Sequence, residues 1–223
     1  MILSLINFLA CKSLNPFVNF KGTTLYNFWM RGDKRSAVTL RNSSLKNTRL
    51  HIAGVKNEIK ITNAKASDSI ITVTGNNNKL LLEKGVDLRK SNIIIRGNNC
   101  KVQILQGTTF GSVRIVNVGS NNAIIIGRNC LFSDHIEIWA SDTHAIYDEN
   151  KNWINQEQPV TIGDEVWVGS HVKILKGVKI GKGAILGMGA VVTKDVPERV
   201  IAAGTPAGVI KNNVSWSLDY PLA

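Results

Sequence analysis

Cysteine, proline, aromatic and histidine residues are all scarce in this chain, and each scarcity removes a class of protein. Three cysteines in 223 residues (Cys11, Cys100 and Cys130) form an odd set with no framework spacing. They exclude a disulfide-stapled secreted scaffold and point to a reducing compartment, so a cytoplasmic location is expected. Five prolines rule out a Pro-rich linker, while 19 glycines with only 6% aromatics suit an architecture of short strands and tight corners. No apolar run approaches the roughly 20 residues that a membrane-spanning helix needs. Histidine occurs only as His51, His135, His144 and His171. A zinc hydratase site needs three converging imidazoles, and these four show no such arrangement, so no metal is expected.

Acidic residues are also short, 16 against 27 Lys and Arg, and the imbalance is uneven. Residues 1–60 hold ten basic residues against Asp33 and Glu58, which places +8 of the total +11 in that segment. A basic end attracts an acidic polymer or an anionic membrane surface peripherally, or it is a solvated face that keeps the protein in solution. No motif points to nucleic acid as a partner.

Against these absences stands one dense pattern. From Ile162 the chain divides into sixes, IGDEVW, VGSHVK, ILKGVK, IGKGAI and LGMGAV, with apolar residues at Ile162, Val168, Ile174, Ile180, Leu186 and Val192. A period of six fits neither a helix nor an alternating strand. It fits a short strand plus a corner, three of which close one triangular coil of a parallel β-helix. Each sixth residue then points inward and stacks on its counterpart about 4.8 Å along the axis. A weaker repeat precedes it: Gly54, Gly75, Gly97 and Gly119 recur at intervals of 21 or 22, three of them opening Asn-rich turns at 75–79, 97–101 and 119–123. Asn and Gly tolerate positive φ, so these are corner residues, and their stacked amides are expected to form a ladder. The prism is therefore expected over 37–211. Residues 1–36 are read as a cap or interface segment that begins with a short amphipathic helix in 1–12, and 212–223 as a tail packed on a neighbour or on the last coil.

Sixes also run through Ile126, Phe132 and Ile138, but the next position is His144 and occupancy resumes only at Ile162. The segment 145–159 is read as a polar excursion from the prism, carrying Tyr147 and Trp153 as acceptor-binding candidates.

The run from Pro159 to Lys211, about a quarter of the chain, resembles the core of the hexapeptide-repeat acyltransferases. Its VVTKDVP and AAGTPA segments are similar to those of galactoside and maltose O-acetyltransferases. His144-Ala145-Ile146-Tyr147 and Val166-Trp167-Val168-Gly169 resemble the His-Pro-Ile-Tyr and Val-Trp-Leu-Gly segments of the capsule O-acetyltransferases that modify polysialic acid, with Ala145 in place of Pro. The resemblance implies an all-β, left-handed parallel β-helix, a homotrimer with active sites at subunit interfaces, and acetyl-CoA as acyl donor. It places catalytic roles on His144 and Trp167 and cofactor contacts on Gly169, Ser170, Met188, Thr193, Lys194 and Lys211. Met188 stands where Ala is common and Lys211 where Arg is common, while Gly208 replaces a basic residue.

The chemistry agrees with these assignments. A hydroxyl attacking a thioester needs a base near neutral pKa, which imidazole supplies, and donors for the oxyanion that forms. Asp142, two residues before His144, is a candidate to orient it; an exposed turn aspartate is the plain alternative. Cys130 has no base at recognisable spacing, so an acyl-enzyme is not expected. The expected activity is acetyl-CoA-dependent O-acetylation of a bacterial surface glycan (capsular or lipopolysaccharide), with the basic segment favouring an acidic, sialic-acid-containing one. The alternatives are N-acetylation of an amino sugar nucleotide, O-acetylation of a small sugar or xenobiotic, and a β-helical binding module without activity.

Overall fold

The computed structural model describes residues 17–219, and all of its regular structure is β-strand. Three parallel sheets form the walls of a left-handed β-helix of about eight turns. Sheets A and C have eight strands each, and sheet B has ten. The chain visits A, B and C in turn, so the prism has an A–B, a B–C and a C–A edge. Among the described residues no helix is long and apolar enough to cross a membrane. The helix expected in 1–12 lies outside the described residues.

Every wall is held in register from coil to coil, and the register makes the core. In sheet A, Leu40 pairs with Ile61, Ile61 with Leu82, then Ile104, Ile126, Ile162 and Ile180 follow in line. All of these side chains are buried, as are the sheet B positions Phe110, Phe132, Val168 and Leu186. The Phe110 and Phe132 rings stack with centroids 4.5 Å apart. Burying each aliphatic contributes roughly 1.5–3 kcal/mol, and because the contact recurs the prism supports itself one turn at a time.

The prism starts earlier than the boundary drawn at residue 37. Strands Phe17–Lys21, Thr24–Tyr26 and Trp29–Arg31 pair in parallel with Ala37–Arg41, Ser44–Lys46 and Arg49–Ala53. Residues 17–31 therefore form a coil with the rest.

The coils of 21 or 22 residues place their extra length in sheet C, where Ile70–Asn76, Asn92–Asn98 and Val113–Ser120 run on to the C–A edge. There Gly75, Gly97 and Gly119 lie directly over one another, and a Cβ on Gly75 would sit 1.9 Å from the Gly97 oxygen. Outside this glycine column, Asn76 donates to Asn98 at 3.2 Å and Asn99 to Asn121 at 3.0 Å. Inside it, the Asn57 and Asn78 amides donate to the carbonyls of Gly75 and Gly97, both at 2.8 Å. Cys100 takes the next place in that inner row, its thiol 3.2 Å from the Gly119 oxygen.

On the A–B edge Thr108 donates to Gly127 at 2.7 Å, and Cys130 follows with its thiol 3.2 Å from the Gly163 oxygen. The two thiols thus stand in for amide and hydroxyl donors. Burial pushes Cys130 up to about 11, and burial also raises Cys100. Only thiolate attacks an electrophile. Alkylation of the folded protein at pH 8 is therefore expected to leave both residues unmodified while a free thiol standard reacts to completion, and to label both once the chain is denatured. Peptide mapping by mass spectrometry reads the result.

Candidate active site

The excursion leaves the prism after strand Ile136–Trp139 and rejoins it at Val160–Ile162, so it hangs from the C–A edge. His144 is exposed on it and lies just outside the wall, where the sixfold pattern would have placed a core residue. The segment folds as a small hairpin. Tyr147 bridges Trp153, the Ile154 N–H donates to the Ile146 carbonyl at 2.9 Å, and Asp148 caps the tip by accepting from the N–H groups of Asn150 and Asn152. The bonds from Asn152 hold the Asp148 carboxyl below the usual range. Tyr147 and Trp153 are both exposed.

Asp142 is not used as expected. Its carboxylate accepts from Lys176 and from the Asn155 amide, and no hydrogen bond joins it to the His144 imidazole. Burial works against its charge, but the bonds from Lys176 and Asn155 outweigh that and hold the carboxyl below its ordinary range. Lys176 also donates to the Asn155 carbonyl at 2.9 Å. Asn155 and Lys176 carry no motif, and in the sequence they are indistinguishable from solvated polar residues.

Trp167 lies on sheet B and is 38% exposed. Beside it runs a row of small residues, Gly169, Gly187 and Ala203, one coil apart. A Cβ on Gly169 would lie 2.8 Å from the Met188 nitrogen, and one on Gly187 would lie 2.8 Å from the Ala203 Cβ. The Ser170 carbonyl accepts from the Gly189 N–H at 2.9 Å, which joins Gly169, Ser170 and Met188 at one stretch of the B–C edge. Met188 projects outward and is 75% exposed. His171 stacks on His135 at this edge, with centroids 4.8 Å apart.

The other donor-contact candidates lie elsewhere. Thr193 and Lys194 follow strand Val191–Val192 onto the C–A edge, one coil beyond Lys176. Lys211 ends the hairpin of Ile201–Gly204 and Ala207–Lys211 that closes sheet B. The tail returns along the A–B edge. Its Trp216 indole donates to the Glu165 carbonyl at 2.6 Å, and its ring lies 6.1 Å from that of Trp167. The tail therefore packs on the chain's own sheet B.

A single chain thus divides the candidates into two groups. His144, Tyr147, Trp153, Thr193 and Lys194 belong to the C–A edge. Trp167, Gly169, Ser170 and Met188 belong to sheet B and the edge beyond it. Every hydrogen bond between the excursion and the prism, among the described residues, goes to the C–A edge: to Ser120, Ala140, Lys176 and Gly177.

Residues 159–194 match the bacterial transferase hexapeptide family (six repeats). The polysialic acid O-acetyltransferase of Escherichia coli O1:K1 / APEC is 42% identical over 125 residues, which are 56% of this chain and 40% of that protein. The polysialic acid O-acetyltransferase of Neisseria meningitidis is 33% identical over 138 residues, 52% of this chain and 64% of its own length. The chain therefore matches less than two thirds of either of these curated relatives. Over nearly the whole prism the structure superposes on the crystal structure of the polySia-specific acetyltransferase NeuO, with a TM-score of 0.72, 28% identity, and coverage of 93% of this chain and 90% of that one.

Proposed function

We propose, for a chain whose residues 159–194 match the hexapeptide-repeat transferases, that it moves an acetyl group from acetyl-CoA to a hydroxyl of an acidic surface glycan, with polysialic acid as the leading acceptor. The likeness of both sequence and fold to polysialic acid O-acetyltransferases carries this reading. The concentration of +8 in the first 60 residues supports an anionic acceptor.

In the proposed mechanism the His144 imidazole takes the proton of the acceptor hydroxyl as its oxygen attacks the thioester carbonyl carbon. The tetrahedral oxyanion collapses, the C–S bond breaks, and the sulfur leaves with the proton that His144 received. Cys130 takes no part, since its thiol is buried and bonded to a carbonyl. The donor's slender arm is assigned to the row Gly169, Gly187 and Ala203 beside Trp167, where no side chain larger than a methyl group stands on the backbone. Lys194 and Lys211 supply positive charge for its phosphates. Because His144 and Trp167 lie on different parts of one prism, the site is completed by a second copy, the C–A edge of one protomer facing sheet B of the next. A homotrimer closes such a head-to-tail contact.

The test is to incubate the purified protein with acetyl-CoA and, in parallel, polysialic acid, an amino sugar nucleotide and a small galactoside, and to read the acetyl mass increment. Increment on the polymer alone is the expected result; increment only on one of the others replaces the acceptor assignment. The donor is tested separately by melting the protein with CoA. At 100 times Kd, binding stabilises the fold by roughly 2.7 kcal/mol, which raises Tm by about 5–10 °C for a chain of this size. An unmoved Tm together with no acetylation of any acceptor would leave a β-helical binding module.

A further inference from the structure

We infer that Asn155 is the positioning residue of the site: its side-chain amide sets the backbone of the His144 segment and thereby the direction of the imidazole. The inference rests on the catalytic reading of His144 and concerns a residue on the far strand of the excursion, outside the motif that brought His144 forward.

An asparagine side chain offers two N–H donors and two acceptor lone pairs. Asn155 uses them all. Its Oδ1 accepts from the Ile146 N–H and from the Trp153 indole, both at 2.7 Å. Its Nδ2 donates to the His144 carbonyl at 2.9 Å and to Asp142 Oδ2 at 2.8 Å. The amide therefore grips the chain on both sides of the catalytic residue, at 142, 144 and 146. It also holds Trp153, an acceptor-binding candidate, in the same grip.

The anchor runs on into the prism. Lys176, whose side chain is only 19% exposed, binds both Asp142 and the Asn155 carbonyl. The His144 imidazole makes no hydrogen bond of its own among the described residues, so its place depends on the backbone that carries it. Reactions of this kind tolerate little misplacement, and a shift of about 1 Å costs on the order of 10²-fold in rate. Only a side chain with both donors and acceptors fits here. Aspartate would retain the two acceptor contacts but would turn a carboxylate toward the His144 carbonyl and the Asp142 carboxylate.

The experiment compares Asn155→Ala, Asn155→Asp and His144→Ala in the full-length protein, with two readouts. The first is steady-state kinetics. Asn155→Ala is expected to lower kcat by about 10–100-fold, with the acetyl-CoA KM changed less than about twofold, because the donor track lies on sheet B. The second is hydrogen exchange of residues 144–154 and of the Trp153 indole. Asn155→Ala should release both, whereas Asn155→Asp should leave the indole protected. Unchanged protection in Asn155→Ala overturns the inference, as does a kcat that stays at the wild-type value while His144→Ala is inactive. An active His144→Ala would overturn the catalytic reading instead, and the exchange measurement would still decide whether Asn155 holds the segment.

Discussion

Replacing His144 by alanine is expected to lower kcat by about 10²- to 10⁴-fold, the range associated with removing a general base, while leaving the prism and its assembly intact. One half of that expectation rests on the proposed role of His144 and the other on where the residue sits. His144 is exposed on a segment outside the walls, so its loss removes little buried area. At the same time it is the imidazole on the excursion that carries Tyr147 and Trp153, where an acceptor would meet it. His51 makes the natural control: it lies on strand Arg49–Ala53, outside both groups of candidates, and alanine there should leave turnover within a few-fold of wild type. The comparison uses kcat at saturating donor and acceptor, with sedimentation to check the assembly. Turnover at the wild-type rate in His144→Ala would remove the residue from the mechanism.

The second large effect is on stability. Gly97→Ala is expected to destabilise the fold by about 3–5 kcal/mol, lowering Tm by roughly 6–20 °C. Gly97 has φ +135°, and a Cβ there would sit 1.7 Å from the Gly119 oxygen and 2.8 Å from its carbonyl carbon. Neither backbone is free to withdraw, because the Gly97 carbonyl accepts from Asn78 at 2.8 Å and the Gly119 carbonyl from Cys100. Gly208 provides the comparison. A Cβ there meets nothing within 4 Å, so Gly208→Ala should melt close to wild type. A Gly97→Ala protein that melts within about two degrees of wild type would show that the column can spread to admit a methyl group.

The difference between what was legible in the sequence and what was not has a physical origin. A sixfold repeat is a local signal, and Ile162 through Val192 announced the walls because each inward residue recurs at a fixed offset along the chain. Gly75, Gly97 and Gly119 were legible for the same reason, since a corner that only glycine fits must recur where the corner recurs. The coil at 17–31 was not, because its inward residues follow no six-residue step and its aromatics Tyr26 and Trp29 point outward, as they would on an interface. The network around Asn155 was hidden for a different reason. Asp142 and Asn155 are 13 residues apart and meet because the excursion folds back as a hairpin, while Asp142 and Lys176 are 34 apart and meet because one coil lies on the next. Likewise Ser170 and Lys194 both fall within the repeat stretch 159–194, yet the turn of the prism sends them to different edges.

The in-register pairing of neighbouring coils has one more consequence. Since each turn touches only the turns before and after it, an insertion made between two turns shifts nothing above or below, provided the chain leaves and returns at the same corner. The segment between Trp139 and Val160 meets that condition, with the Gln158 N–H closing back on the Ala140 carbonyl at 3.1 Å. Selection can therefore lengthen, shorten or rewrite the segment that reaches out from the prism without renegotiating the part that keeps it folded.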